Sequence, residues 1–494
     1  MGLTDLDYLI VCTYLIGVTL AGSLVAGKQK SYHDYFLGGK KLSWWLVGFS
    51  IVASETSTLT FISIPGMAYS GNMYFLQVAF GYFIGRLLVS IIFIPSYYKG
   101  NLETAYDFIG KRFGIPLRKF TSSVFIITRV LASGVRLFAT AIPLHLMTGF
   151  DYPTSILIIG ICTLIYTYIG GLKAVVTMDV VQLFIYLSGA VISMIIIINA
   201  LPGGWSDVLK YAHTEIPSKM AIFNTKHYES FIQFLSSPYT LLGGILGGTF
   251  LTMASHGTDQ LLVQRLLGCS SKKESQKALM LDAAIIVIQF AFFLILGICL
   301  YAFYDGRSYI ELGLASSDEV FPKFIVENLP TGITGLVLAG VFASAMGSLS
   351  SSISSLASST YLDLFRSSSN SSQKNERSEI KWSRFFTLLW GMVLIGGAML
   401  FKDTKNPVVE IGLQIASVTY GGLLGTFFLG LLFPHVKQRE AFIGFICGSM
   451  VMVLVISFTS IGWTWHTLIG CLTTIIAGNI GTIIVKIFKN LRTI

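Results

Sequence analysis

Apolar stretches recur along the chain at lengths suited to crossing about 30 Å of hydrocarbon, which takes roughly 20 helical residues. They run at 8–27, 42–70, 72–97, 118–148, 152–172, 179–201, 232–258, 279–304, 330–361, 382–401, 408–432, 438–459 and 462–486. This pattern predicts thirteen membrane helices. The alternating ten-residue strands of a closed barrel are absent from it. Polar stretches are short: 202–231, 305–329 and 362–381, the last a Ser-, Asn- and Lys-containing run read as a flexible loop.

Two of the runs carry interruptions. In 42–70, Ser54, Thr56, Ser57, Thr58 and Thr60 surround Glu55, and Pro65-Gly66 follows. In 232–258, Gly243, Gly244, Gly247 and Gly248 precede Thr252, His256 and Gly257. Such clusters mark places where a membrane helix can unwind because its freed backbone groups find other partners. Paired interruptions in matching helices of two halves point to a transporter binding site. Here they are five helices apart, the spacing of two inverted five-helix repeats.

A third departure from the apolar pattern is the stretch Gly335–Tyr361, where Ser350, Ser351, Ser352, Ser354 and Ser355 crowd together. Ser344, Ser348, Ser351 and Ser355 follow i, i+4, i+7, i+11 and so share one helix face. Hydroxyls and carboxylates are hard oxygen ligands suited to a small cation such as Na⁺. Glu55 and Asp179 supply carboxylates, and Asp179 would bring the charge that desolvating a cation requires. The competing readings are close helix packing for the serines and an interfacial carboxylate near Lys173 for Asp179.

Composition agrees with a polytopic membrane protein: 494 residues, 53% hydrophobic and 12% charged, with mean hydropathy +0.71. With the N-terminus outside and thirteen alternating helices, 24 of the 34 Lys and Arg fall on inner segments and 7 on outer ones. That asymmetry predicts an N-out, C-in topology. The remaining three, Arg86, Arg129 and Arg136, lie inside helices. Asp5 and Asp7 precede the first run and Lys28 and Lys30 follow it, the reverse of a secretory leader, so it reads as a retained helix. The net charge of +9 then belongs to the inner face and gives no support to nucleic-acid binding. The six cysteines show no pairing or metal spacing, and the seven histidines include no HExxH pattern, so no enzyme is expected.

Several stretches in order resemble the sodium:solute symporter family: Asp34-Tyr35-Phe36-Leu37-Gly38-Gly39, ASETSTLTF, LETAYDFIGKRFG (102–114), YTYIGGLKAVVTMDVVQ (166–182), TDQLLVQR (258–265) and SLSSSISS. The resemblance implies an all-α LeuT-type fold within one transport domain, 1–494. It places one helix (8–27) first, then inverted repeats over 42–201 and 232–432, then two helices over 438–486. It implies a general sodium position built from Ala53 and Thr56 facing Ser344 and Ser348, with Gly347 where relatives often have a further serine. A second sodium position would use Asp179, Ser350 and Ser351. The substrate side would include Glu55, Ser57, Thr60, Phe75, Gln77, Arg136, Thr252, His256 and Gln414.

An intramembrane charge defaults to a functional group with a partner to be named. For Glu55 the candidates are Arg129 and Arg136, seven residues apart on one helix face, with Glu55–Arg136 the structural pairing. An arginine free of Glu55 favours an anionic substrate instead. His256 reads as helix packing or as a ligand, and Asp259-Gln260 and Gln264-Arg265 as anchors of an inner gate. The expectation is a sodium-coupled symporter, with one Na⁺ and a second position implied. It would import a small polar solute (sugar, sugar acid, amino acid, carboxylate or polyol) through a bacterial inner membrane without an obligate protein partner. A proton-coupled carrier with Glu55 or Asp179 titrating is the alternative, and a transporter-like sensor a more distant one.

Overall fold

The computed structural model describes residues 3–366, 376–400 and 408–492, apart from Ala26, Lys28 and Ser57. We label the principal helices α1 (Asp5–Val25), α2 (Trp44–Glu55), α3 (Thr58–Ser70), α4 (Leu76–Lys99), α5 (Ala105–Phe113), α6 (Ile115–Thr148), α7 (Tyr152–Ala200) and α8 (Leu241–Gly257). They continue with α9 (Gln260–Leu267), α10 (Lys272–Phe303), α11 (Ile333–Ser359), α12 (Glu376–Leu400), α13 (Val408–Leu432), α14 (Gln438–Phe458) and α15 (Trp463–Arg492). Among the described residues the only strand-like pairing is an isolated bridge between Leu42 and Cys269.

Among the described residues nine helices are long and apolar enough to span a membrane, and α2 with α3, bent by 58°, makes a tenth span. The 49-residue α7 counts twice. In a straight helix Tyr166 and Met178 would stand about 18 Å apart. Both instead lie within about 3 Å of the Cβ position of Gly22 in α1, so the chain doubles back between them. The reversal sits at Gly171 (φ 56, ψ −155), where a side chain would also strike the Tyr35 carbonyl at 2.5 Å. Only glycine meets both demands. α13 adds a shorter apolar helix, Val418–Leu432.

The first interruption is real: α2 ends at Glu55 and α3 resumes at Thr58. The second is displaced. Gly243, Gly244, Gly247 and Gly248 lie inside a continuous α8 and serve close packing instead. A Cβ on Gly81 of α4 would stand 2.5 Å from the Ile245 carbonyl, and one on Gly247 would stand 2.3 Å from the Thr464 carbonyl. The break falls at Thr258–Asp259, where the Asp259 side chain accepts from the Leu261 amide and caps α9.

The serine-rich α11 is the most enclosed span, 83% buried against 22% for α1. It is packed among α1, α6, α7 and α12, so its hydroxyls face protein rather than lipid, where unsatisfied polar groups are costly. The segment after α7 clamps the end of α3. Lys219 donates to the Tyr69 carbonyl at 2.8 Å and to the Gly71 carbonyl at 3.3 Å, with its ammonium 3.9 Å above the Tyr301 ring.

Candidate functional site

The break between α2 and α3 follows from local chemistry. Thr56 leaves the helix (φ −75, ψ 80), and its hydroxyl donates to the Val52 carbonyl at 2.8 Å, satisfying a carbonyl in the last turn. Gln289 of α10 donates to the same hydroxyl. Past the break, Thr58 Oγ1 lies 3.0 Å from Ser344 Oγ of α11. One turn along α11, the buried Ser348 Oγ has no hydrogen-bond partner among the described residues. Ala53 and Thr56 are buried as well. The sequence reading anticipated this meeting of the break with α11, but it did not assign Thr58 or Gln289 to it.

Asp179 is fully buried, which removes the interfacial reading; Lys173 is exposed. Its Oδ2 accepts from Ser50 at 2.6 Å, from Ser54 at 3.4 Å and from Arg265 at 3.0 Å. Arg265 also donates to Ser351, and Ser54 lies 3.1 Å from the Ser351 hydroxyl. Asp179 and Ser351 are therefore joined through Ser54 and Arg265. Ser350 instead donates to the Gly347 carbonyl at 3.0 Å. Asp179 Oδ1 and both amide atoms of Gln182 are buried without a partner among the described residues. They border Gly347, whose Cβ position is 3.0 Å from Gln182 Oε1 and 3.5 Å from Asp179 Oδ1.

Beside the break lies a cavity of about 150 Å³ whose polar lining includes Glu55, Thr60, Arg136, Thr252 and Asp259, with Phe75 and Phe290 among its apolar groups. Five of the expected substrate-side residues (Glu55, Thr60, Phe75, Arg136 and Thr252) thus line one cavity. Gln77 does not join them. It is fully buried, and its amide donates to the Tyr74 and Tyr239 carbonyls at 3.2 and 3.3 Å. Ser57 and the side chain of Gln414 lie outside the described residues.

The expected pairing of Glu55 with Arg129 or Arg136 is wrong. Glu55 pairs with Arg86 of α4, which also holds Asp282 of α10. His256 completes the group behind the cavity wall, its Nε2 3.2 Å from Glu55 and 3.6 Å from Asp282. Glu55, His256 and Asp282 present ligand atoms within 4.8 Å of one another, but the Arg86 guanidinium bonds both carboxylates. This is an ion-pair cluster rather than a metal centre. Arg129 pairs with Asp259, which also accepts from the Tyr420 hydroxyl at 2.6 Å. Arg136 is the exception: among the described residues it makes no ion pair, although it borders the cavity. Sequence spacing alone could not sort four intramembrane carboxylates among these arginines.

The profile of the Sodium:solute symporter family matches residues 35–448. The sodium/sialic acid symporter NanT of Aliivibrio fischeri is 26% identical over 98% of this chain and 94% of its own length. The human sodium/iodide cotransporter is 29% identical over 87% of this chain and 66% of its own. A solved Na⁺-coupled sialic acid symporter, substrate-bound and outward-open, superposes with TM-score 0.88 at 25% identity, covering 97% of this chain and 98% of that one. Mhp1, a nucleobase-cation-symport-1 family transporter, shares the fold at TM-score 0.54 and 13% identity, covering 90% of this chain and 92% of that one.

Proposed function

The chain belongs to the sodium:solute symporter family, and from that premise we propose how its residues divide the work of transport. It is a sodium-coupled membrane carrier of a small solute and not an enzyme. Sodium is a transported substrate. In our reading one ion takes the backbone oxygens of Ala53 and Thr56 with Ser344 and Ser348. The unpartnered Ser348 hydroxyl and the freed backbone at the break support this assignment. A second ion would use Asp179, Ser350 and Ser351. Arg265 already neutralises one oxygen of Asp179, so this ion would approach the other, and Ser350 would turn from the Gly347 carbonyl to meet it.

The solute carries a carboxylate, and Arg136 holds it. One observation carries this reading: Arg86, Arg129 and Arg265 each have a carboxylate partner, whereas Arg136, on the cavity wall, has none among the described residues. A largely buried cation without a partner is costly, and a guanidinium matches a carboxylate with two parallel hydrogen bonds. Several relatives are named for sialic acid or monocarboxylates, which is consistent with an anionic group at this point. Sodium would order the α2–α3 break against α11 and so favour solute binding before the bundle rocks inward. We assign the direction as import across a bacterial inner membrane. One sodium crossing 100 mV down a tenfold gradient supplies about 3.7 kcal/mol, enough for roughly five-hundredfold accumulation of a solute without net charge.

The test is melting of the purified protein in NaCl against choline chloride, each with sugars, sialic acid, amino acids and monocarboxylates. A ligand present at a hundred times its Kd adds about 2.7 kcal/mol to the folded state. The expected result is stabilisation by a carboxylate only when sodium is present, and loss of that response in Arg136→Gln. Stabilisation that ignores sodium, or that survives Arg136→Gln, contradicts the reading.

A further inference from the structure

The cavity is not only positive. Glu55 stands where it meets the buried cluster, with 21% of its side chain exposed, while Asp282 behind it is fully buried. Both carboxylates share the single guanidinium of Arg86. Glu55 keeps part of its carboxylate on the cavity although Arg86 bonds one oxygen and His256 Nε2 lies 3.2 Å from the other. Arg129 and Asp259 cancel each other. Arg136 leaves one net positive charge on the same cavity. Thr60, Thr252 and Ser255, also on the lining, are neutral donors and acceptors. The lining thus offers an acceptor at Glu55 and a donor at Arg136.

A neutral sugar would bring no carboxylate to Arg136, and a simple monocarboxylate would bring no donor to the cavity-facing part of Glu55. We propose that the solute is a zwitterion, its carboxylate on Arg136 and its ammonium on Glu55. This rests on the reading of Arg136 given above and extends it. Glu55 then determines specificity. Arg86 and His256 are positioning residues that hold the carboxylate toward the cavity. The charge pattern selects an amino-acid-like solute over the sialic acid and monocarboxylates for which several relatives are named.

Two isosteric series test this in NaCl: alanine, lactate and propionate, which differ only in bearing ammonium, hydroxyl or hydrogen, and proline against cyclopentanecarboxylate. A charge-assisted hydrogen bond predicts that the ammonium member stabilises the protein at about tenfold or more lower concentration than its isosteres. Glu55→Gln should erase that preference and Glu55→Asp should keep part of it; the wild-type series stands even if a variant folds poorly. Lactate, propionate or sialic acid binding as well as alanine or proline overturns the zwitterion while leaving Arg136 its carboxylate. Binding only of uncharged solutes overturns both, as does the absence of any response from every member of the series.

Discussion

Replacing Arg86 by methionine probes the buried cluster most sharply. The substitution keeps much of the side-chain volume and removes the guanidinium that bonds both Glu55 and Asp282. Those carboxylates have ligand atoms within 4.8 Å of each other. At an effective dielectric of 20, two like charges at that distance repel by about 3.5 kcal/mol. Breaking a buried pair from one side costs about 3–5 kcal/mol in measured cases. The two figures describe the same loss from different directions, so they are not added. Arg86→Met should destabilise the protein by about 3–5 kcal/mol. Adding Asp282→Asn to it should recover part of the loss, because the repulsion disappears. The assay is denaturant unfolding in detergent followed by tryptophan fluorescence, read as a double-mutant cycle with a coupling of about 1–3 kcal/mol. Purely additive single and double effects, or an Arg86→Met protein as stable as the parent, would refute the cluster as an energetic unit.

Ser344→Ala and Ser348→Ala should each weaken sodium-dependent stabilisation about tenfold or more in sodium concentration, since a hydrogen-bonding or ligating hydroxyl beside a charge is worth about 1.5–3 kcal/mol; sodium titration of the melting temperature checks this. Gly347→Ser would place a hydroxyl near Asp179 Oδ1 and Gln182, and the same titration should show tighter sodium binding. Gly247→Ala, whose new methyl would meet the Thr464 carbonyl at 2.3 Å, should cost about 1–3 kcal/mol by overpacking, with sodium dependence unchanged. Lys219→Met removes the ammonium that caps the last carbonyls of α3 and should lower the melting temperature by the equivalent of about 1–3 kcal/mol.

Much of this molecule could be read from its pattern. The apolar runs located the spans because hydrocarbon thickness sets their length. The hydroxyls around Glu55 located the α2–α3 break because freed backbone needs partners. The serines of α11 marked a helix enclosed by protein. Glycine was the ambiguous signal. The four glycines of α8 looked like a break, yet they let the backbones of α4 and α15 approach, and the real interruption is set by the Asp259 cap two residues beyond Gly257. The reversal within the 49-residue α7 was legible too, since the apolar runs 152–172 and 179–201 were read as separate spans, although Gly171 turns the chain without a polar loop. Charge pairing was the least legible part. Glu55, Asp179, Asp259 and Asp282 could each have met any of several arginines, and only packing chose Arg86 for Glu55 and Arg265 for Asp179. Asp282 was visible as a carboxylate inside the apolar run 279–304 and, as an intramembrane charge, could have been flagged as functional.

The most direct test of the account is uptake into proteoliposomes of whichever carboxylate-bearing solute stabilises the protein in sodium. An inward sodium gradient at constant pH is imposed on vesicles of the wild type and of Arg136→Gln. The account predicts accumulation by the wild type only when the sodium gradient is present, with none by the variant. Accumulation driven by a proton gradient without sodium, or undiminished transport by Arg136→Gln, would contradict it.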